Sequence, residues 1–475
     1  MSICFRESRG LKLPLRLFAV LAGFAVGCAG TAQAQTPPPG PPAYRCQEVL
    51  IPPGPDPHLP KIQPLFRTNS GLTENDFNCL AWQDFIYLIW PAKAGQRGQP
   101  NPQARLGARG PTVWESYRTE ETVFLPNGVD PGPWQQLQLM ATLHPSLAQQ
   151  VADGDVRHLT STSKVSRGVL ASLLREGSAL PAPVLDSISQ AGGGTLYDLN
   201  GNPVYYEVSM DQPQYDYIHT NKLYNAYDQV TFARTNVVNL PAGADSTTPG
   251  AIETKAAWKV LSDVEQKSGR FFTAQALLGG AKTPVTVGLV GFHAFIVTGG
   301  QGVWATFQQM DNAPVQQPAT TGTFNFFNPK CTVAGKPCPY NVKDADPGQV
   351  VQIVPYSQSA NGLNAYVHYI LHQYDAKTPW QYYNLINAQW PLVPKPLSGL
   401  TAPASVPLPN GTPNLSTLLN PVLETFLQSK PNMSCLGCHQ YATTAATGIN
   451  QPPYATSYSF MFGNATALPT AEQQQ

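Results

Sequence analysis

The sequence predicts an α+β fold, and three observations support this prediction. Several segments rich in β-branched and aromatic residues lie between residues 203 and 310 and are separated by Gly, Pro and Asn. The apolar residues of 363–374 recur at a three-to-four spacing, which is typical of an amphipathic helix. The chain has 39 Gly and 47 Pro among 475 residues and only 12% charged residues, so turns and covered loops must be common. We expect a large β-containing body with surface helices, followed by a C-terminal helical segment.

The elements follow from local patterns, taken in chain order. A buried helix is predicted over Asn78–Ala92, with a start signal at Asp76 and an end at Trp90-Pro91. One or two polar surface helices are predicted over Ser166–Ala191. Four strands of an antiparallel sheet and two further helices complete the prediction: strands Pro203–Met210, Ala251–Leu261, Val285–Val297 and Val303–Met310, and helices Leu363–Tyr374 and Leu415–Leu427.

The first residues are typical of an export signal. Four basic side chains precede the apolar stretch Leu17–Val26, and Ala32-Gln33-Ala34 forms a small-residue cleavage site. We expect residues 1–34 to be removed, and an uncleaved anchor or a lipoprotein attached through Cys28 is the alternative. No later segment is long enough to span a membrane, so a periplasmic or secreted protein without a transmembrane segment is predicted.

The chain after the predicted signal divides into four segments that differ in composition. Residues 35–43 form a Pro-rich leader, 44–393 the α+β body, 394–414 a Pro-rich connector and 415–475 a C-terminal segment. Lys plus Arg and Asp plus Glu each number 29, and no block of one sign occurs. Nucleic-acid binding is therefore not expected.

Six cysteines remain once the signal is removed. An even number in an exported chain indicates that all of them are bonded, either in disulfides or to another group. Cys331 and Cys338 enclose a short Gly-containing loop, which favours a local disulfide. Cys46 and Cys79 are then left for each other. A metal site built from these four is the alternative, although it lacks paired C-x-x-C spacing.

The remaining two cysteines belong to Cys435-Leu436-Gly437-Cys438-His439, which is C-x-x-C-H, the attachment motif of c-type haem. Two thiols three residues apart reach the two vinyl groups of one porphyrin, and the following imidazole reaches the iron. We expect one covalent haem c per chain, held by Cys435 and Cys438, with His439 as an axial iron ligand. A Cys435–Cys438 disulfide or a thioredoxin-like redox pair is the alternative.

The second axial position has two main candidates. Met461 follows the motif at a distance that allows it to loop over the distal face, and His293 lies on the predicted strand Val285–Val297. The alternative for each is an ordinary core residue, and His293 is expected to share a core-facing strand face with Val287, Leu289, Phe295 and Val297. Met310, Met433, His368, His372 or an open site complete the set. His368 and His372, one helical turn apart, would need a third ligand to hold zinc.

At these residues the chain resembles a group of exported bacterial proteins known as the cytochrome c family protein group, each with one C-x-x-C-H near its C-terminus. The likeness covers most of the mature chain and is carried by Trp82-Gln83 to Trp90-Pro91, Val113-Trp114-Glu115, Lys255 to Trp258, Gly288 to His293, Trp304 to Pro314, Trp380 to Pro391 and Ser434 to Gln440. The group has a His where this chain has Gln309-Met310, and Leu where it has Met461. If the group uses that His as the distal ligand, this chain must use another residue, for which Met310 is a candidate.

The expected function is electron transfer by a monohaem cytochrome, since a low-spin haem with two protein ligands exchanges electrons without bond-making. The redox partner is expected to be another protein, of unknown identity. A haem enzyme of the peroxidase or small-oxide reductase type, with an open distal site, is the first alternative, and no catalytic residue is assigned. A redox-sensing protein whose body binds a ligand is the second.

Overall fold

The computed structural model describes residues 46, 73–137, 145–174, 194–243, 250–298, 301–343, 345, 348–393, 395–409, 411–430, 432–447 and 452–468. All of them belong to one unit, Pro37–Gln475. The predicted signal peptide (1–34), the Pro-rich leader (35–43) and residues 175–191 of the predicted surface helices lie outside the described residues.

The centre of the fold is an eight-stranded sheet, and the predicted α+β class is confirmed. Its strands are β3 (Arg118–Thr119), β4 (Val156–Leu159), β5 (Tyr205–Met210), β6 (Ile252–Val260), β7 (Thr273–Leu278), β8 (Val285–Thr298), β9 (Gln301–Gln309) and β12 (Tyr383–Gln389). The main path runs in the order β12-β9-β8-β6-β5-β3, and β7 pairs with both β8 and β4. Every pair is antiparallel except β4 with β7. Two small hairpins lie outside this sheet: β1 (Ala92–Lys93) with β2 (Gln96–Pro100), and β10 (Thr332–Val333) with β11 (Lys336–Pro337).

The helices lie around this sheet. The four predicted strands are present as β5, β6, β8 and β9, and the predicted helices over 78–92 and 363–374 are present with earlier starts. Ser166–Ala191 is helical in its described part. The helices are Glu74–Leu88, Glu120–Val123, Pro145–Asp153, Arg167–Leu174, Gln212–Thr220, Ala226–Thr235, Asp263–Lys267, Gln358–Tyr374 and Cys435–His439.

One face of the sheet is covered by the helices Glu74–Leu88 and Gln358–Tyr374. Thr73 and Asp76 form a capping box that starts the first helix two residues before the predicted signal at Asp76. Phe85 stacks on Phe307 of β9 with ring centroids 4.2 Å apart, so the first helix packs directly on the central strands. This aromatic core makes the sheet a rigid support for what lies on its other face.

A bulge in β8 decides which of its side chains reach that other face. Gly291 pairs with Ala257 of β6, but Leu289 pairs with Trp258, so Val290 is an extra residue on β8. The expectation that Val287 and Leu289 share the face of His293 is therefore wrong. Those two residues join the helix-covered core, while His293, Phe295 and Val297 face the C-terminal segment.

The C-terminal segment packs on this second face through buried polar side chains. The Asn420 Nδ2 group donates to the Phe307 carbonyl of β9 at 2.8 Å. Gln389 of β12 donates to the Leu415 carbonyl at 2.8 Å and accepts from the Leu436 N–H at 2.8 Å. These bonds tie the segment to the two outermost strands of one sheet edge.

The predicted helix Leu415–Leu427 is wrong. Only Thr425–Leu427 forms a single 3-10 turn. Pro421 disfavours the helical conformation of Asn420 before it, and the Asn420 side chain accepts from the Val422 N–H at 3.0 Å. The segment contributes short turns rather than a long helix.

Both predicted disulfides are present. Cys46 pairs with Cys79, and Cys331 with Cys338, with Cα atoms 5.5 Å apart in each pair. Cys435 and Cys438 are not paired with each other. Within the described residues, the helices are too short or too polar to cross a bilayer.

Gly291 permits the close approach of the C-terminal segment to β8. A Cβ atom at this position would lie 2.5 Å from Val422 Cγ2 and 3.3 Å from Leu423 Cδ1. Because Val is stiff at χ1, we expect Gly291→Ala to lower the free energy of unfolding by about 1–3 kcal/mol. Chemical denaturation checks this, with Gly280→Ala as the control because nothing lies within 4 Å of its added Cβ. Equal stability of the two variants would contradict the packing described.

Candidate functional site

The site begins with the five-residue helix Cys435–His439. The Ser434 hydroxyl accepts from the Gly437 N–H at 3.1 Å and so caps the helix. Residues at positions i, i+3 and i+4 lie on one face of a helix, and Cys435, Cys438 and His439 have this spacing. Leu436, on the opposite side, is buried against the body.

This helix face opens onto an apolar hollow of about 120 Å³. The side chains around it are mainly aliphatic and aromatic, with a few charged groups among them. The lining consists of Lys164, Val165, Val169, Leu173, Lys255, His293, Trp304, Leu418, Leu419, Leu423, Glu424, Leu427, Met433, Ser434, Cys435, Cys438, His439 and Phe460.

His439 is held in one orientation by its second ring nitrogen. Its Nδ1 lies 2.6 Å from the Tyr458 carbonyl, which can only accept, so Nδ1 carries the proton and Nε2 keeps a lone pair. The ring packs against Phe460 at 4.7 Å and Trp304 at 5.8 Å between centroids. Burial lowers the pKa of His439 to about 4, so the imidazole is neutral at pH 7, as a metal ligand must be.

The two thiols have an environment that opposes the thiolate. Burial raises the pKa of Cys435 and raises that of Cys438 to about 12, and the Glu424 carboxylate adds to both shifts. A redox-active C-x-x-C pair requires a lowered thiol pKa. Burial thus shifts the pKa of both thiols in the direction opposite to that of a thioredoxin-like pair.

His293 lies across the hollow on β8, between Lys255 of β6 and Thr306 of β9. Its Nε2 makes no hydrogen bond and lies 3.5 Å from Glu424 Oε2. The side chain is 19% exposed because it borders the hollow. The sequence leads us to expect it inside the core. Burial lowers the pKa of His293 and so favours the neutral ring, and the Glu424 carboxylate opposes part of this shift.

Met461 is placed differently. It is buried in the core formed with Phe462 and Tyr215, and its Sδ lies 3.8 Å from the Gln214 Nε2 donor. It borders a second hollow that includes His439 and His293 but neither cysteine of the motif. Its sulfur is thus already in contact with a polar group.

The other ligand candidates are also placed. Met433 borders the first hollow beside Cys438, whereas Met310 borders none of the hollows described here. His368 and His372 lie on the helix Gln358–Tyr374, where Nε2 of His368 contacts the Tyr383 carbonyl at 2.6 Å and Nδ1 of His372 contacts Gln381 at 2.9 Å. Within the described part of the chain, no three His, Cys, Asp or Glu side chains are grouped to hold a metal ion.

Sequence reasoning missed the charged groups of the site. Lys164, Lys255 and Glu424 border both hollows together with His293 and His439. Glu253 and Lys255 stand two residues apart on β6, a strand that is buried on both faces. Charged residues in such a strand are rare, so their presence in the sequence could have indicated a functional site. Lys164 and Glu424 lie in irregular segments and carry no comparable pattern.

Comparison of the chain with protein-family models, curated proteins and solved structures found no match in any of the three. The site is therefore interpreted from its own residues.

Proposed function

We propose that this chain is an exported monohaem c-type cytochrome that transfers electrons. The observation that carries the proposal is the common helix face of Cys435, Cys438 and His439, which opens onto an apolar hollow. The unbonded thiols, the Nε2 lone pair of His439 and the His293 Nε2, which makes no hydrogen bond, form a donor set that suits a covalently attached haem. The two disulfides agree with an oxidising compartment such as the periplasm.

The roles of the residues follow from their chemistry. Cys435 and Cys438 would hold the porphyrin through thioether bonds, and His439 would bind the iron through Nε2. The Tyr458 carbonyl fixes the orientation of the His439 ring and increases the basicity of Nε2 through the hydrogen bond to Nδ1. When bound, the haem supplies a one-electron iron couple.

We further propose His293, rather than Met461, as the second axial ligand. His293 faces the same hollow as both cysteines and its Nε2 lacks a hydrogen bond, whereas the Met461 sulfur contacts Gln214 and borders only the second hollow. If His439 and His293 both held the iron, electron transfer would need no bond-making. Aliphatic side chains such as Leu419, Leu423 and Leu427 would exclude water from the iron.

A haem enzyme is the second candidate, and one observation favours it. The second hollow adjoins a third, bordered by Glu120, Ser161, Ser163 and Ser166, which reaches the exposed residues Thr160 and Arg167. A small polar substrate could enter by this route if the distal position were open.

The spectrum of the oxidised holoprotein separates the two candidates. We expect a low-spin ferric spectrum that responds slowly to cyanide, because protein occupies the sixth position. His293→Ala should convert it to a high-spin spectrum with immediate cyanide binding, and Met461→Leu, the matched control, should leave it low-spin. A high-spin wild-type protein that binds cyanide at once would favour the enzyme, and a high-spin Met461→Leu variant would assign the ligand to Met461.

A further inference from the structure

The hollows beside the motif helix have two chemically different ends. The cysteine end is bordered by Leu418, Leu419, Leu427 and Met433. The opposite end is bordered by Glu120 and by Ser161, Ser163 and Ser166, next to the opening at Arg167. The thiol end therefore suits an apolar part of a ligand, and the far end offers polar groups, among them the acidic Glu253 and Glu424 as well as Lys164 and Lys255.

Lys164 is buried at the junction of the two hollows. Its side chain is 4% exposed, and its Nζ makes no hydrogen bond. The ammonium lies 4.3 Å from the centroid of the Phe426 ring, which gives it partial compensation. A buried ammonium without a hydrogen-bonded partner is costly, and an anion placed there would remove the cost.

In the surrounding loop two hydroxyl groups are hydrogen-bonded within the loop, whereas Lys164 Nζ has only the electrostatic attraction of Glu424 and the Phe426 ring. The Ser161 hydroxyl donates to the Ser163 carbonyl, and the Ser163 hydroxyl donates to the Val165 carbonyl. The Lys164 carbonyl accepts from Lys255 Nζ at 2.6 Å, which fixes the backbone at this point. The loop therefore buries this ammonium beside the Phe426 ring, in a residue that borders both hollows.

We propose that Lys164 binds a carboxylate at the polar end of the haem chamber. This inference rests on the proposed function, because a porphyrin held through its vinyl groups at Cys435 and Cys438 carries its own carboxylates on another edge. The same chemistry would be met by a small carboxylate ion that enters past Arg167. Burial lowers the pKa of Lys164 to about 7, and a bound carboxylate would keep the ammonium charged.

The test uses the holoprotein made with a c-type maturation system. Wild type is compared with Lys164→Met, Lys164→Gln and the conservative Lys164→Arg, and Lys282→Met, at an exposed lysine that borders none of the three hollows, is the matched control. The first readout is the resonance Raman band of the haem carboxylate groups. The second is a titration with sodium formate, followed by the Soret band.

The outcomes separate the two sources of the carboxylate. A Raman shift in Lys164→Met and Lys164→Gln, absent from Lys164→Arg and Lys282→Met, assigns the haem's own groups. A formate response of wild type that weakens at least tenfold in the first two variants only assigns a free ion. Haem-loaded variants that match wild type in both readouts overturn the inference alone, whereas a wild type that carries no covalent haem overturns the proposed function together with it.

Discussion

Cys435→Ser combined with Cys438→Ser is expected to abolish covalent haem completely. Each thioether bond uses one of these two sulfur atoms, so removing both leaves no point of attachment; both thiols are free and face one hollow. Denatured protein from cells with a c-type maturation system should stain for haem on a gel in the wild type and not in the double variant. Each single variant should keep at most one thioether bond.

The pair Cys331→Ser and Cys338→Ser is the control. It also removes two cysteines of this chain, but it breaks the Cys331–Cys338 disulfide and leaves the motif intact. Its haem stain should equal that of the wild type after correction for yield. Stain that persists in the Cys435 and Cys438 double variant would disprove attachment at this site.

His439→Ala is expected to have the second-largest effect. It removes the proposed axial ligand, and it leaves the Tyr458 carbonyl without its bond to Nδ1. An unsatisfied buried acceptor costs about 1–3 kcal/mol, and the ring contacts with Phe460 and Trp304 are lost as well. The low-spin Soret spectrum should disappear, and the midpoint of thermal unfolding should fall.

His372→Ala controls for the loss of an imidazole elsewhere. This side chain is exposed on the helix Gln358–Tyr374, and its ring bonds only to Gln381 among the contacts described. Spectrum and unfolding midpoint should stay close to wild type. A His439→Ala protein with an unchanged Soret position would show that His439 does not bind the iron.

Much of the fold could be predicted because its determinants are local. The helix at Glu74–Leu88 has a capping signal and a Trp-Pro end within the sequence, and β8 is a continuous apolar run. The helix predicted over Leu415–Leu427 failed because Asn420 makes bonds to β9, more than 100 residues away in the chain. A bond to a distant strand outweighed the local helical pattern.

The bulge at Val290 shows the same limit on a smaller scale. Strand period alone places Leu289 and His293 on one face, but one extra residue in the β6–β8 pairing reverses every side chain before it. Pairing between strands is a property of two segments, so neither segment reveals it alone. His293 thereby borders the hollow while Leu289 lies in the opposite core.

The sequence by itself determined the α+β class, the two disulfide pairs and the motif Cys435 to His439. These rest on spacing within short segments or on the number and placement of cysteines. Only the tertiary structure decided that His293 and Lys164 meet His439 at one hollow, while Met461 contacts Gln214. Such meetings join residues from different strands and loops, and they depend on how the sheet, its bulge and the C-terminal segment pack together.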